Sequence, residues 1–406
     1  MKILFLNAYF YPEVISFTHL EKDLIEGLLE RGHELFVLTP VPTRGITDEA
    51  YAKYRKIKSE DLYDGKVHVK RFYAPREGRN PIVRAFRYVW CNFREYQLGK
   101  KYRDIDLIFS VSTPPTQGLL AGKLAKKLKC PFVYSLQDVF PDSLVTTGMT
   151  QEGSMIWKLG RKIENKTYSQ SSKVIVISET IKENLKNKGV NEEKLALIPN
   201  WIDTDSVMPI STEENRLFDE FGIDRDAFKV VYAGNLGAAQ GADVVLKAAE
   251  MLKDRKDIQF VIFGGGSGYE AAKREIADKQ LENVIIHPLL PQDRVSEVYS
   301  LGDVALITCK KGVGKSGMPS KTWSIMACNT PIVASFDTDS ELAEIIEKSG
   351  AGVCVEPEDA EALTGAILAQ METRTKESHA RKYVLEYASR NICVKKYVDV
   401  VETLVN

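Results

Sequence analysis

The stretch GVGKSGMPSKTWSIMACNTPIVASFDTDSE, residues 312–341, joins a glycine-rich loop, a helix start and a short buried strand without a break. Gly312, Gly314 and Gly317 let backbone amides come close to a ligand. Ser320 reads as an N-cap, with Met318 and Pro319 before it and Trp323, Ile325, Met326 and Ala327 following as apolar helix positions. A helix starting there directs unpaired N–H groups and a partial positive charge into the loop, where Lys321 adds a full charge. Such an end suits a diphosphate. A surface loop ahead of an ordinary capped helix would look the same in isolation, so the surrounding pattern has to decide.

Working outward, KVVYAGN (229–235), IQFVIFGGG (258–266), VIIHPLL (284–290), VALITCK (304–310), PIVAS (331–335) and GVCVEP (352–357) are apolar runs. They are of the kind buried on both faces of a parallel sheet, and helical patterns such as 241–252 separate them. The first run empties into AGNLGAAQG, where Gly234, Gly237 and Gly241 bend the chain and Asn235 and Gln240 offer neutral donors. The second ends in FGGGSG, with Gly264 and Gly265 but no acidic residue placed to complete a dinucleotide fingerprint, and Leu290 ends the third. Three glycine-rich turns thus fall on one carboxyl edge, where doubly wound sheets bind ligands.

The first half has the same rhythm: KILFLN (2–7), ELFVLTP (34–40), VHVKRFY (67–73), LIFSVS (107–112), PFVYSLQD (131–138) and KVIVIS (173–178). Between the first two, Leu20, Leu24, Ile25, Leu28 and Leu29 have helical spacing, with Thr18 as a cap and Gly32 as a stop. Residues 43–64 are polar and irregular. Asn7, the Thr113-Pro114-Pro115 turn, Asp138 and Ser178 fall at strand ends. The reading is α/β, two doubly wound Rossmann-like domains, 1–203 and 204–390, facing a cleft. The helical segment 391–406 can pack on either.

Hydrophobic residues make up 44% and charged residues 27% of the 406, which excludes extended disorder. A net charge of −1 conceals an asymmetry, since residues 1–200 carry 32 Lys and Arg against 23 Asp and Glu. From Tyr51 to Arg103 the balance is 15 basic against 5 acidic, and at 81–103 Phe86, Trp90 and Phe93 interleave with arginines and lysines. This suits peripheral contact with an anionic membrane. A helix that packs its aromatics inward, or one that binds nucleic acid, would share the composition. The six scattered cysteines have no metal-ligand spacing and suit a reducing compartment. The opening segment is too short for a signal peptide and no run is long enough to span a bilayer, so a cytoplasmic protein is expected.

Together GHELFVLTP, YAGNLG, FGGGSG, MPSKTWSIMACNTPIVAS and GAGVCVEPED resemble the GT-B glycosyltransferases of family GT4 over nearly the whole chain. AGNLGAAQG and LQDVFPDS carry a further likeness to the WbuB-like N-acetylfucosaminyltransferases that build bacterial O-antigen and capsule. The resemblance implies metal-independent transfer, with retention, of a sugar from a UDP-linked donor, here an N-acetylated 6-deoxyhexosamine. The acceptor would be a polyprenyl-diphosphate-linked saccharide at the inner face of the cytoplasmic membrane. No cofactor and no nucleic acid are implied. Lys321 would stabilise the leaving diphosphate, Asp138 would face the reacting sugar, and His19 would lie on the acceptor side. Ser316 and Ser324 stand where family members commonly have two glutamates, and Asn235 and Gln240 where many have an Arg and a Lys. A UDP-sugar 2-epimerase of similar fold and a non-catalytic nucleotide-sugar-binding protein are the competing readings.

Overall fold

The computed structural model describes residues 1–13, 17–77, 81–146, 148–373 and 379–405. They form two compact units, one of Met1–Pro199 with Cys393–Asn406 and one of Asn200–Ile392.

The strands of the first unit are β1 (Lys2–Leu6), β2 (Glu34–Pro40), β3 (Ser59–Leu62), β4 (Val67–Phe72), β5 (Leu107–Val111), β6 (Phe132–Leu136), β7 (Lys173–Val176) and β8 (Leu195–Leu197). They form one sheet in the order β3-β4-β2-β1-β5-β6-β7-β8. Every pairing is parallel except β3 with β4. Its helices are α1 (Thr18–Glu30), α2 (Asp48–Tyr54), α3 (Pro81–Gly99), α4 (Gln117–Leu128), α5 (Asp142–Thr146), α6 (Met155–Gln170) and α7 (Glu179–Asn187). Residues 43–64, read as irregular, contain α2 and the edge strand β3. Both are short and polar, and half-exposed strands of that kind leave no apolar signature.

Alternation along the strands sorts the core into two layers. Leu4, Leu6, Ile108, Phe132 and Tyr134 point to the side covered by Leu120 and Leu124 of α4 and Tyr168 of α6. On the opposite side Phe5 stacks on Phe109 at 4.8 Å, and Tyr397 of the last helix lies 6.3 Å from Phe109. The Tyr397 hydroxyl is 3.1 Å from that of Ser135, so burial of a large aromatic there leaves no unpaired phenol. Thr18 is the first residue of α1 rather than its cap. Phe17 holds the cap position without a side-chain bond, and Gly32, at φ +77°, ends the turn as expected.

In the second unit the strands are β9 (Phe228–Asn235), β10 (Ile258–Gly265), β11 (Val284–Pro288), β12 (Val304–Thr308), β13 (Ile332–Ser335) and β14 (Gly352–Val355). All are parallel, in the order β11-β10-β9-β12-β13-β14. The helices are α8 (Leu217–Phe221), α9 (Asp243–Met251), α10 (Tyr269–Asp278), α11 (Val295–Ser300), α12 (Lys321–Ala327), α13 (Glu341–Ser349), α14 (Ala360–Thr373) and α15 (Ala380–Tyr387), and α16 (Arg390–Glu402) starts here but belongs to the first unit from Cys393 onward. Val230, Tyr232 and Phe260 face α9 and α14, whereas Val231, Val261 and Ala305 face α11, α12, α13 and α15. Each unit is a doubly wound α/β domain.

Candidate active site

The strand order of the second unit reverses between β9 and β12, and the chain segments leaving these two strands line the crevice where such sheets bind ligands. Three turns meet there. The Thr308 hydroxyl donates to the Gln240 carbonyl at 2.6 Å and the Lys310 amide to the Ala239 carbonyl at 3.0 Å, laying the 234–241 turn on the end of β12. Gly241 must be glycine for this: at φ +58° its added β-carbon would stand 2.8 Å from the Cys309 carbonyl oxygen. The Leu236 amide donates to the Gly265 carbonyl at 2.7 Å, joining the 263–268 turn to the first. Next to it Leu289 donates its amide to Gly264 at 3.0 Å, while Leu290 turns into the core. Asn235 is exposed, and Gly237 and Gln240 are half-buried beside it.

Lys321 opens α12 beneath this edge. Its ammonium lies 4.2 Å from the centre of the Tyr232 ring, a cation–π contact, and has no carboxylate partner among the described residues. Burial lowers its pKa to about 8, although the residue as a whole keeps some surface open to solvent. Neighbouring lysines differ: Lys310 is tied to Asp243 and Glu358, and Lys315 to Asp339. An unneutralised, partly desolvated cation beside a ligand crevice favours whatever anion enters.

The rest of the 312–341 stretch departs from expectation. Asp337, buried and unnoticed in the sequence, accepts from the amides of Gly312 and Gly314, each at 2.8 Å, so these two amides hold the loop rather than await a ligand. Ser320 already has helical torsions, φ −58° and ψ −30°, and makes no capping bond, because a cap needs the extended backbone that would let its hydroxyl reach back. Gly317 is exposed in open space, and Met318 and Pro319 are half-buried. Ser324 is buried one turn along α12 on the Lys321 side. The side chain of Ser316 lies outside the described residues.

In the first unit Asp138 is exposed just past β6, at the rim of a small pocket lined also by Pro115, Phe140, Glu164 and Tyr168. His19 is exposed in the first turn of α1. A polar cluster that the sequence reading missed lies behind the end of β1. Asn7 donates to Glu21, whose burial, with Glu13 nearby, raises its carboxyl well above the usual range. Glu13 accepts from the amides of Phe10, Thr43 and Arg44. Glu21 shares the helix face of Leu24 and Leu28, and a carboxylate on an apolar face was the signal available.

The aromatic, basic helix α3 mixes its faces. Arg87, Cys91 and Glu95 are fully buried while Phe86, Val89 and Phe93 are exposed, so the reading in which its aromatics pack inward fails for Phe86 and Phe93 and holds for Trp90, half-buried against Phe72 and Cys91. Arg87 donates to the Thr43 hydroxyl at 3.0 Å and lies over the Tyr9 ring, and Glu95 accepts from Gln117 at 2.6 Å. Nonlocal partners therefore hold the charged face in place.

The two halves match two family models, residues 22–206 that of Glycosyltransferase Family 4 and residues 213–387 that of Glycosyl transferases group 1. The chain belongs to the GT-B glycosyltransferases. Among curated relatives, the "Putative colanic acid biosynthesis glycosyl transferase WcaI" of Escherichia coli K12 is 25% identical over 411 residues, covering 98% of this chain and 99% of WcaI. The "Probable glycosyltransferase WbjE" of Pseudomonas aeruginosa is 26% identical, covering 82% of this chain and 84% of WbjE. Anabaena HepE, solved with UDP, superposes over the full length of both chains with a TM-score of 0.72 at 16% identity, a likeness of fold.

Proposed function

We propose that this glycosyltransferase moves a sugar, with retention, from a UDP-sugar to a lipid-linked saccharide in bacterial surface polysaccharide synthesis. The observation that carries the donor side is Lys321: a partly desolvated ammonium without a carboxylate partner at the switch point of a doubly wound sheet. In the reaction the bond from the anomeric carbon to the diphosphate oxygen breaks and a bond to the acceptor oxygen forms. The acceptor's proton passes to the leaving diphosphate. Charge builds on that diphosphate, and Lys321 with the amides around Gly234, Gly237 and Gly317 stabilises it without a metal ion. Asp138 faces the sugar and His19 the acceptor.

The relatives favour the polysaccharide pathway. WcaI is named for colanic acid biosynthesis, and HepE holds UDP in its crystals. The sugar we assign is an N-acetylated 6-deoxyhexosamine. Ser316 and Ser324 replace charged acceptors by hydroxyls, which weakens any charge-assisted contact to sugar or ribose and leaves more of the binding to the diphosphate. No described helix is long and apolar enough to cross a membrane, and we assign contact with the inner face of the cytoplasmic membrane to residues 81–103. The test is release of UDP from UDP-sugars in the presence of undecaprenyl-diphosphate-linked saccharides. Turnover by the wild type that falls at least a hundredfold in Lys321→Ala supports the assignment, and unchanged turnover removes Lys321 from it.

A further inference from the structure

On one face of the first unit's sheet, α4 packs between α3 and α6. Each of α3 and α6 crosses back between parallel strands, from β4 to β5 and from β6 to β7, so both begin at the carboxyl edge of the sheet, where Asn7 and Asp138 lie. Both begin with exposed apolar side chains. On α3 these are Val83 and Phe86, with Val89 and Phe93 following further along the helix, and on α6 they are Met155, 88% exposed, with Ile156 and Leu159. Exposed apolar groups gathered at one end of a helix mark a surface that another phase or molecule covers.

Charge says which. The acidic residues of the three helices, Glu95 and Glu164, are both buried, whereas Lys123, Lys126 and Lys127 of α4 and Lys158, Lys162 and Lys166 of α6 are exposed. Glu152, just ahead of α6, and Asp138, just past β6, are exposed carboxylates at this edge, and Asp142 nearby is paired with Lys188. Along α6 the lysines at 158, 162 and 166 follow at four-residue spacing and continue the face begun by Met155 and Leu159. An apolar tip grading into a cationic stripe fits acyl chains beneath anionic headgroups.

We propose that the amino-terminal end of α6 is a second membrane anchor, which together with α3 seats the carboxyl edge of the first unit on an anionic bilayer. This rests on the membrane contact assigned to 81–103 and adds a point of attachment that fixes orientation. A single helix leaves the unit free to roll about that helix, and two contacts on either side of α4 remove that freedom. The acceptor edge then faces the surface that holds a polyprenyl-linked substrate.

The experiment sediments the full-length protein with vesicles of phosphatidylcholine alone or mixed with phosphatidylglycerol. Wild type should bind the mixed vesicles. Combined Met155→Ser, Ile156→Ser and Leu159→Ser should weaken that binding by about tenfold or more, and each of Lys158→Ala, Lys162→Ala and Lys166→Ala by about fivefold. If wild type binds, Phe86→Ser with Phe93→Ser weakens it and the α6 variants bind like wild type, this proposal fails and the α3 contact stands. No binding by wild type overturns both. Concentration-dependent self-association of wild type that the α6 variants abolish assigns the patch to a second copy and overturns the proposal. An Ile156→Cys protein carrying an environment-sensitive dye gives an independent readout: its emission should shift to the blue on mixed vesicles, and an unchanged spectrum overturns the proposal.

Discussion

A β-carbon added to Gly234 would stand 2.6 Å from Nζ of Lys321. The last residue but one of β9, at φ +151°, and the first of α12 are therefore fitted to one another: the absent side chain is the space the ammonium occupies. Gly234→Ala should both strain the backbone, at about 1–3 kcal/mol, and push the ammonium off the Tyr232 ring. Calorimetry should find UDP affinity reduced at least tenfold in a protein whose circular dichroism is unchanged. Equal affinity would show that Lys321 can move without consequence.

The depressed pKa of Lys321 gives two opposite pH dependences. The unfolded chain keeps this proton to about 10.5, the folded chain releases it near 8, so the stability of the unliganded protein should rise across that window. Diphosphate binding favours the protonated form, so affinity should fall above pH 8 by up to about tenfold per pH unit. Titrations of UDP in buffers of different ionisation enthalpy should record proton uptake at pH 8.5, and Lys321→Met should abolish it.

Asp337 is expected to be structural. Hydrogen bonds to a buried charged acceptor contribute about 1.5–3 kcal/mol each, and two meet here, so Asp337→Ala should lower the unfolding free energy by roughly 3–6 kcal/mol. Amide exchange at Gly312 and Gly314 should accelerate with it. Asp339→Ala, which breaks the exposed pair with Lys315, should change stability little.

Glu95 supplies a test in the first unit. Burial raises its carboxyl to about 8 against an ordinary 4.5, while Gln117 and Arg87 pull the other way. The folded chain holds this proton longer than the unfolded one, so wild-type stability should decline as pH rises from about 4.5 to 8, by up to about 1.4 kcal/mol per unit from this group. Glu95→Gln should remove that slope, gaining on wild type toward pH 8 in denaturant titrations.

Both sheets could be read from the sequence, because strands buried on two faces are written as uninterrupted apolar runs such as ILFL and VVYA. The turns at Gly234 and Gly264 were equally legible, since a glycine that ends a buried strand marks a bend where a side chain would not fit. What escaped depends on contacts far apart in the chain. Asp337 holds a loop more than twenty residues before it, and nothing local in FDTD distinguishes it from Asp339. The burial of Arg87 depends on Thr43 and Tyr9, without which the pattern of α3 suggests the opposite orientation. Ser320 shows a narrower limit: a serine at the cap position that makes no capping bond looks the same on paper as one that does.

The return of the last helix to the first unit has a consequence for synthesis. Val394 packs against Gly27, Tyr397 reaches Ser135, and Glu402 pairs with His33, so one face of the first sheet stays uncovered until these residues are made. The whole of 200–392 is translated before then and is continuous in sequence, which lets it fold while its predecessor waits. On the ribosome the order of domain completion should therefore be inverted, the second to begin being the first to finish. A released chain truncated after residue 392 would display a protease-resistant second unit beside a first unit still open to cleavage.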